Sequence, residues 1–224
     1  AGRPRLLMHA VSVGEVSALR GLIPALEPEV EVVLSVTTDT GTARARALFP
    51  GTRVVRYPLD FSWAVRRFLD AVRPDAVALV ELEVWPNFVE ECRRRSVPVC
   101  VVNGRLSERS FKGYRKIRGL MRGSFKSLAF AAVQDEAYAR RFEHMGVAAG
   151  NCLVTGSMKW DSIATVSAGV GAGATAVDPL AEEIAASMGI DRSRALVVAG
   201  STGPGEEALL HEACVRAFPE GVQL

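Results

Sequence analysis

The sequence predicts an α/β fold, in which a parallel Rossmann-like sheet is covered by helices on both faces. Short apolar runs rich in β-branched residues alternate with segments of helical periodicity along most of the chain. The runs are almost continuously apolar, as in parallel strands that are buried on both faces. With 224 residues, of which 49% are hydrophobic and 23% charged, the chain is long enough for a sizeable core and part of a second one.

Each predicted strand is followed by a polar turn and then by an amphipathic helix. The predicted strands are Leu6–Val11, Val32–Thr37, Arg53–Tyr57, Ala76–Leu82, Val97–Val102, Leu128–Val133 and Cys152–Val154. The predicted helices are Glu15–Leu26, Thr40–Phe49, Phe61–Val72, Asn87–Arg95, a longer segment around Ser110–Ser124, and Glu136–Met145. This alternation defines a first Rossmann-like domain over residues 1–165.

The composition changes after this domain. Residues 166–177 are small and low in complexity, which predicts a flexible linker. Residues 178–224 then begin a second Rossmann-like unit, with a helix, a strand and a helix predicted at Asp178–Met188, Ala195–Ala199 and Gly205–Ala217. The chain begins without Met and stops as a new apolar segment starts, so we expect a fragment with an incomplete second domain.

The charge distribution predicts a local anion-binding face. The formal net charge of +2 is too small to indicate a nucleic-acid partner. Between Arg105 and Lys126, however, eight basic residues stand against one acidic residue, Glu108. Such a face suits phosphate groups or an anionic membrane surface. A solvated helix face is the alternative.

Cysteine and histidine usage exclude several other classes. The four cysteines have no CxxC spacing, which is typical of reduced thiols rather than a disulfide framework or a metal site. The three histidines are scattered along the chain and do not indicate a histidine metal cluster, so no metal is predicted. No run of 18 apolar residues is present, and no membrane span is predicted.

The turn at residues 9–15, His-Ala-Val-Ser-Val-Gly-Glu, is the most informative in the chain. It lies at the carboxyl edge of the predicted sheet, where open α/β proteins bind ligands. A carboxylate there, Glu15, is placed to take a proton from a hydroxyl nucleophile. The spacing of Ser12 and Glu15 also fits a helix capping box, and the turn alone does not decide between the two.

A second acidic turn follows the strand ending near residue 82. Placing two carboxylates at the end of a buried strand costs free energy, which indicates either a charged partner or a functional role. Glu81 and Glu83 are two residues apart, so on a strand they are predicted to share a face. Repulsion between the two like charges is then predicted to raise the pKa of at least one of the two carboxyls. Trp85 offers a flat apolar surface for a sugar or an acyl chain. The alternative is an ion pair for one Glu and a helix cap for the other.

Three further turns carry weaker signals. Thr37 and Thr38 open a helix, where they either hold an anion or a sugar or simply cap the helix. Arg105 and Arg109 have the planar guanidinium groups that grip phosphate. Lys159 follows the last strand of the first domain, where it can offset charge on a leaving group.

In the second unit, residues 200–207 read Gly-Ser-Thr-Gly-Pro-Gly-Glu-Glu. Glycines before a helix let a phosphate approach the backbone and the helix N-terminus. The segment is neither a P-loop nor a GxGxxG fingerprint, and an ordinary Pro-Gly turn is the alternative.

Taken in order, these turns resemble the Kdo transferase family, whose members add 3-deoxy-D-manno-octulosonic acid (Kdo) to lipid A precursors in Gram-negative bacteria. The matching segments are HAVSVGE at 9–15, TTDTG at 37–41, PLD at 58–60, ELEVWPN at 81–87, NGRLSERS at 103–110, TGSMKWD at 155–161 and GSTGPGEE at 200–207. The resemblance covers nearly the whole chain. Departures lie at Gly104, Ser157 and Gly203, where the family usually has Ala, Asn and His.

The resemblance implies a GT-B glycosyltransferase fold, an inverting mechanism, CMP-Kdo as donor and no cofactor. It implies Glu15 as the general base, with a Glu of the 81–83 pair and Lys159 assisting. Substrate-binding residues are then expected at Ser12, Gly14, Thr37, Thr38, Trp85, Asn87, Arg105 and Arg109. Donor-binding residues are expected at Ser201, Thr202 and Glu206.

The implied partners are CMP-Kdo, a lipid A precursor and an anionic membrane surface, and no nucleic acid. A basic segment beside Phe111, Tyr114, Ile117, Leu120 and Met121 suits that surface. The expected location is the cytoplasmic face of the inner membrane, and the fragment alone is expected to be inactive. Two other functions stay open: a non-catalytic acceptor- or membrane-binding fragment, and another GT-B sugar-nucleotide enzyme such as a 2-epimerase.

Overall fold

The computed structural model describes residues 2–160, 179–191, 193–200, 202–218 and 221–223. The chain divides into two compact units, Ala1–Gly169 and Val170–Leu224. The predicted linker at 166–177 and Ser201 lie outside the described residues.

Within residues 2–160, seven parallel strands form one sheet in the order β3-β2-β1-β4-β5-β6-β7. The strands are β1 (Arg5–Ala10), β2 (Glu31–Val36), β3 (Arg53–Arg56), β4 (Ala76–Val80), β5 (Val99–Gly104), β6 (Phe130–Val133) and β7 (Cys152–Val154). The predicted parallel α/β sheet is therefore confirmed.

Helices connect the strands and cover both faces of the sheet. They are α1 (Val13–Ala18), α2 (Leu22–Leu26), α3 (Asp39–Leu48), α4 (Ser62–Val72), α5 (Pro86–Arg94), α6 (Glu108–Lys116), α7 (Arg118–Lys126), α8 (Glu136–Met145) and a 3₁₀ turn at Ala149–Asn151. Because successive side chains of a strand point to opposite faces, Leu7 and Met8 of β1 belong to two separate core clusters. The core thus lies on both sides of the sheet.

The predicted helix Glu15–Leu26 is wrong in extent, because two short helices, α1 and α2, take its place. Pro24 gives the physical reason. Inside one continuous helix its ring would clash with the preceding turn and remove a hydrogen bond. In α2 it occupies the third position, where a backbone N–H has no partner within the helix.

The predicted helix around Ser110–Ser124 is also divided, into α6 and α7, with the break at Ile117. The break gives the two helices different surroundings. α7 buries Met121 and Phe125, whereas α6 has no buried residue.

In the second unit, the helices α9 (Pro179–Ser187) and α10 (Glu206–Ala217) match two of the predicted elements. The predicted strand Ala195–Ala199 is wrong, because only Leu196 forms a parallel bridge, to Gln223. A strand needs a continuous partner, and among the described residues of this unit only the short segment 221–223 pairs with it.

Candidate active site

The strand order places a crevice at the carboxyl end of the sheet. β2 and β3 lie on one side of β1, and β4 to β7 lie on the other, so the chain order reverses between β1 and β4. Ligands of open α/β sheets bind outside the carboxyl ends of the strands at such a switch point. The turn leading to Glu15 follows β1, and the turn with Glu81 and Glu83 follows β4.

Glu15 is both a cap and a half-buried carboxylate at this crevice. Ser12 is the N-cap of α1, and its hydroxyl donates to Glu15 Oε1 over 2.9 Å. The Val11 N–H donates to Glu15 Oε2 over 2.9 Å, and the Glu15 N–H donates weakly to Ser12 Oγ over 3.4 Å. The capping alternative is therefore confirmed, and the same bonds fix the carboxylate in position.

The pKa of Glu15 is raised above its ordinary value of 4.5, chiefly because the carboxyl is withdrawn from water. The bonds from Val11 and Ser12 act in the opposite direction, and the nearby charge of Glu81 raises the pKa further. A carboxylate with a raised pKa is a better proton acceptor than an ordinary surface Glu.

The prediction that Glu81 and Glu83 share a strand face is wrong, because β4 ends at Val80. Glu81 has a left-handed backbone with φ of 57°, a conformation that non-glycine residues rarely adopt. Its N–H donates to Val102 O over 3.0 Å, and its carbonyl accepts from the Arg105 N–H over 3.4 Å. These bonds with β5 and the turn after it hold the unusual turn in place.

Glu83 is still close to the other carboxylates. Its pKa is raised mainly by burial, and further by the charges of Glu15 and Glu81, while a hydrogen bond from Trp85 Nε1 to Glu83 Oε2 (2.8 Å) lowers it. The expected like-charge effect on a pKa is thus present, although strand alternation does not produce it. The Trp85 ring remains 45% exposed beside this carboxyl.

We expect Glu83→Gln to raise the thermal unfolding temperature more at pH 8 than at pH 4.5. A carboxyl whose pKa is raised by folding stabilises the folded state below its unfolded pKa and loses that contribution as pH rises through the folded pKa. Differential scanning calorimetry at both pH values measures the difference.

Glu90→Gln is the matched control, because Arg93 and Arg94 lower the pKa of Glu90 to about 2. Its pH dependence should have the opposite sign, with the larger loss of stability at pH 8. An equal effect of Glu83→Gln at both pH values would contradict the assignment of a raised pKa to Glu83.

The two binding residues predicted at the turn after β2, Thr37 and Thr38, differ in how free their side chains are to contact a ligand. Thr38 caps α3: its hydroxyl accepts from the Gly41 N–H over 3.1 Å and donates to Val11 O over 2.8 Å. The Thr38 hydroxyl proton is thus engaged in a hydrogen bond within the protein, which holds the turn before α1 in place. Thr37 and Gly14 are exposed at the same edge.

Asn87 fastens a neighbouring loop. Its side-chain amide donates to Asp60 O over 2.6 Å, and the Asp60 carboxylate accepts from the N–H groups of Asn87 (3.1 Å) and Phe88 (2.8 Å). Asp60 therefore caps α5 from a distant part of the chain, since the N-cap residue Trp85 makes no side-chain cap bond. Sequence reasoning gave this Asp little weight, because a cap supplied by another loop has no local signature.

The predicted basic residues lie at three places along the carboxyl edge. Arg105, beyond β5, is exposed and has its pKa raised by a hydrogen bond with Tyr138 and by the charges of Tyr138 and Glu81. Arg109 is exposed on α6. Lys159 follows β7, and the adjacent Met158 N–H donates to Asn103 Oδ1 over 3.1 Å, which ties this loop to the end of β5.

Sequence reasoning missed His9 and Tyr57. The His9 side chain is fully buried, its Nε2 lies 3.9 Å from Glu83 Oε2, and its ring stacks on Tyr57 with centroids 3.6 Å apart. Burial lowers the pKa of His9 to about 4, so the imidazole is neutral at pH 7. One signal was present in the sequence: a histidine interrupts an otherwise apolar buried strand.

In the second unit, two predicted donor-binding residues bond locally. The Thr202 hydroxyl donates to Glu207 Oε1, and the Gly203 N–H donates to Glu206 Oε2, each over 2.8 Å. Thr202 and Glu207 also line a cavity of about 760 Å³ whose other walls are mostly apolar.

The described residues contain neither a metal-ligand cluster nor a helix able to span a membrane. In these residues no group of three His, Cys, Asp or Glu side chains is arranged to hold a metal ion. None of the helices in the described part of the chain has the length and apolar character needed to cross a bilayer.

Comparison with solved structures identifies the fold. UDP-GlcNAc 2-epimerase from Neisseria meningitidis, bound to UDP-GlcNAc, matches with a TM-score of 0.67 at 10% identity, over 96% of this chain and 63% of that one. The 2-epimerase from Methanocaldococcus jannaschii matches with a TM-score of 0.63 at 12% identity, over 97% and 64%. At such identities the likeness shows the fold alone, which is an α/β fold of the GT-B type.

Sequence comparison defines the family. The model of the 3-deoxy-D-manno-octulosonic-acid transferase (kdotransferase) family matches residues 1–162, and the chain belongs to this family. The transferase of Haemophilus influenzae is 32% identical over 70% of this chain and 38% of its own length. That of Bordetella pertussis is 33% identical over 92% and 46%. The chain therefore spans less than half the length of these curated relatives.

Proposed function

We propose that this chain is the acceptor-binding part of an inverting transferase that moves Kdo from CMP-Kdo to a lipid A precursor. The observation that carries the proposal is the position of Glu15. Its carboxylate lies at the switch point of the sheet, is fixed by Ser12 and Val11, and has a raised pKa. An acceptor hydroxyl needs such a base within hydrogen-bond reach, roughly 3 Å.

In the proposed reaction, the acceptor hydroxyl gives its proton to Glu15 while its oxygen bonds to the anomeric carbon of Kdo. The bond from that carbon to the phosphate of CMP breaks, and its electron pair leaves with CMP. Positive charge develops on the sugar ring, and a carboxylate of the 81–83 pair stabilises it. Lys159 offsets the negative charge that grows on the leaving phosphate. Arg105 and Arg109 hold acceptor phosphates.

The second candidate function, a 2-epimerase, is favoured only by the likeness of the fold to the epimerases. A fold hosts many functions, so this observation carries less weight than the arrangement of the carboxylates. An epimerase converts a sugar nucleotide without an acceptor, whereas a transferase requires one.

This difference defines the experiment. The complete protein is incubated with CMP-Kdo or UDP-GlcNAc, each with and without a tetraacylated lipid A precursor, and the products are analysed by mass spectrometry. We expect added Kdo only when CMP-Kdo and the precursor are both present. Conversion of UDP-GlcNAc without acceptor would favour the epimerase, and acceptor binding without any product would favour the non-catalytic fragment.

We further propose that the chain docks on an anionic membrane at the cytoplasmic face of the inner membrane. Leu59, Trp63 and Leu120 are each about 70% exposed. Asn87 connects their positions: it is hydrogen-bonded to Asp60, next to Leu59, and to Ser62, next to Trp63, and it lines a depression together with Leu120. The helices α6 and α7, the second of which carries Leu120, contribute seven cationic residues: Arg109, Lys112, Arg115, Lys116, Arg118, Arg122 and Lys126.

The structure corrects the apolar part of the predicted surface. Met121 is buried in the core, and Phe111 and Tyr114 pack against it. Only Ile117 and Leu120, of the five predicted positions, are exposed large side chains. The loop residues Leu59 and Trp63 take the place of the buried ones in the proposed membrane contact.

We expect Leu120→Ala to weaken binding to vesicles containing phosphatidylglycerol about tenfold, since about one leucine side chain no longer leaves water on docking. Raising the salt concentration should weaken vesicle binding by both the parent protein and Leu120→Ala. Cosedimentation measures both effects. The control is Phe130→Ala, at the amino end of β6 and thus at the opposite edge of the sheet. Equal binding by Leu120→Ala and the parent protein would contradict this docking surface.

A further inference from the structure

The unexplained feature of the site is a pair of buried polar groups beside Glu83. His9 Nε2 and the Tyr57 hydroxyl are both buried, and neither has a hydrogen-bond partner among the described residues. The two rings stack nearly parallel, at 15°. Buried polar atoms of native proteins almost always have partners, so an orphaned one marks a position with another purpose.

The hydrogen bonds of His9 define its tautomer. Nδ1 lies 3.2 Å from the backbone carbonyl of Ser35 and 3.1 Å from the Ser35 hydroxyl oxygen. The Ser35 hydroxyl donates its own proton to Met8 O, so both Ser35 oxygens act as acceptors toward the imidazole. Nδ1 therefore carries the ring proton, and Nε2 presents a lone pair.

That lone pair faces the Glu83 carboxyl, since His9 Nε2 lies 3.9 Å from Glu83 Oε2. Two acceptors facing each other repel unless a proton lies between them. Glu83 receives one hydrogen bond, from Trp85, whereas Glu15 receives bonds from both Ser12 and Val11. Donors stabilise a charged carboxylate, so the surroundings favour the charged form of Glu15 over that of Glu83.

Other charged and titratable groups act on Glu83 in the same sense. The carboxylates of Glu15 and Glu81 repel its charge, and the charge of Glu83 would in turn raise the pKa of Tyr57 and of Tyr114. Asp60 and Cys92 also face Tyr57, and Arg105 lies toward Glu81. When several carboxyl groups lie close together, the one that accepts the fewest hydrogen bonds is the one that stays protonated.

We propose that Glu83 holds a proton that is directed toward His9 Nε2, 3.9 Å away, and that His9 is thereby a positioning residue for the reaction. This inference rests on the proposed function for its catalytic meaning: Glu15 is the base, Glu83 is a neutral hydrogen-bond donor, and the task of stabilising positive charge falls to Glu81. A neutral Glu83 also lowers the repulsion that an anionic donor meets in the crevice.

The first test is independent of activity. In the protein labelled with ¹⁵N-histidine, we expect NMR shifts of a neutral Nδ1–H tautomer at His9 from pH 5 to pH 8. We expect the Nε2 shift to change in Glu83→Gln, because an amide replaces the protonated carboxyl that faces Nε2. Tyr57→Phe, which keeps the ring stack, should leave the shift unchanged. A proton on Nε2 at pH 7, or a response to Tyr57→Phe alone, would overturn the proposal.

The second test uses a matched pair of variants in the transfer assay. His9→Asn keeps a donor for Ser35 but places no group opposite Glu83, whereas His9→Gln places its amide there. We expect the alkaline limb of the pH profile to move down by on the order of one pH unit in His9→Asn and much less in His9→Gln. Equal profiles for the two variants would overturn the proposal.

The two tests distinguish failure of the proposed function from failure of this inference. If the protein does not transfer Kdo, the proposed function fails, while the NMR shifts still report whether a protonated Glu83 faces the lone pair of His9 Nε2. If it transfers Kdo and the shifts show an Nε2–H tautomer, only this inference fails.

Discussion

Glu15→Gln is expected to lower kcat/KM for Kdo transfer by about 10²–10⁴-fold, the usual contribution of a general base. Glutamine keeps the shape of the side chain, and its carbonyl oxygen can still accept a bond from Ser12 or Val11. It cannot take a proton from the acceptor hydroxyl. The loss should therefore appear in the chemical step, and acceptor binding should change by no more than about twofold. Initial rates and isothermal titration with the lipid A precursor measure the two quantities.

Two controls separate the base from the cap at this turn. Ser12→Ala removes the cap hydroxyl and should cost about 1 kcal/mol of stability while leaving the base in place. Glu15→Asp keeps a carboxylate but shortens its reach, so it should retain more activity than Glu15→Gln. Near-normal turnover by Glu15→Gln would contradict the role of Glu15 as the base.

Phe88→Ala is expected to lower the free energy of unfolding by about 3–5 kcal/mol, as for other buried phenylalanines replaced by alanine. Phe88 is fully buried, and its ring centroid lies 5.1 Å from that of Tyr57 and 6.4 Å from that of Phe68. Its N–H also donates to Asp60, so the residue joins α5 to the aromatic cluster that contacts His9 through Tyr57. Urea denaturation followed by circular dichroism measures the change.

The controls for Phe88 vary volume and burial separately. Phe88→Leu keeps most of the apolar volume and should cost roughly 1.5 kcal/mol or less. Trp63→Ala removes a large side chain that is 69% exposed, and its effect should stay within about 0.5 kcal/mol. If Phe88→Ala cost no more than Trp63→Ala, the proposed role of this core cluster would be wrong.

The sheet could be predicted because its determinants are local. Runs such as Leu6–Val11 and Val77–Val80 are apolar over the length of a strand, and polar turns follow them. Pro24 also indicated in the sequence that a helix break precedes it, at residues 19–21, but the apolar periodicity of Glu15–Leu26 hid this signal. Proline has no backbone N–H, so within a helix it is tolerated only in the first turn, and Pro24 therefore marks the start of a new helix.

The positions of the site residues could be predicted only in part. That Glu15 and Glu83 meet depends on the strand order, which pairs β1 with β4, and no local pattern encodes this pairing. The left-handed turn at Glu81 also has no signature, since glycine or asparagine is the usual residue there. His9 acquires its role from Ser35, which lies 26 residues further along the chain, and Asp60 acquires its role from Asn87, 27 residues further.

The pH dependence of kcat/KM for Kdo transfer tests the central claim most directly. A base must be deprotonated, so activity should fall as pH decreases through the pKa of Glu15, which is raised above 4.5 by burial. The account predicts an acidic limb above pH 4.5 in the complete protein that is absent from the residual activity of Glu15→Gln. The same limb in both proteins, at similar rates, would contradict it.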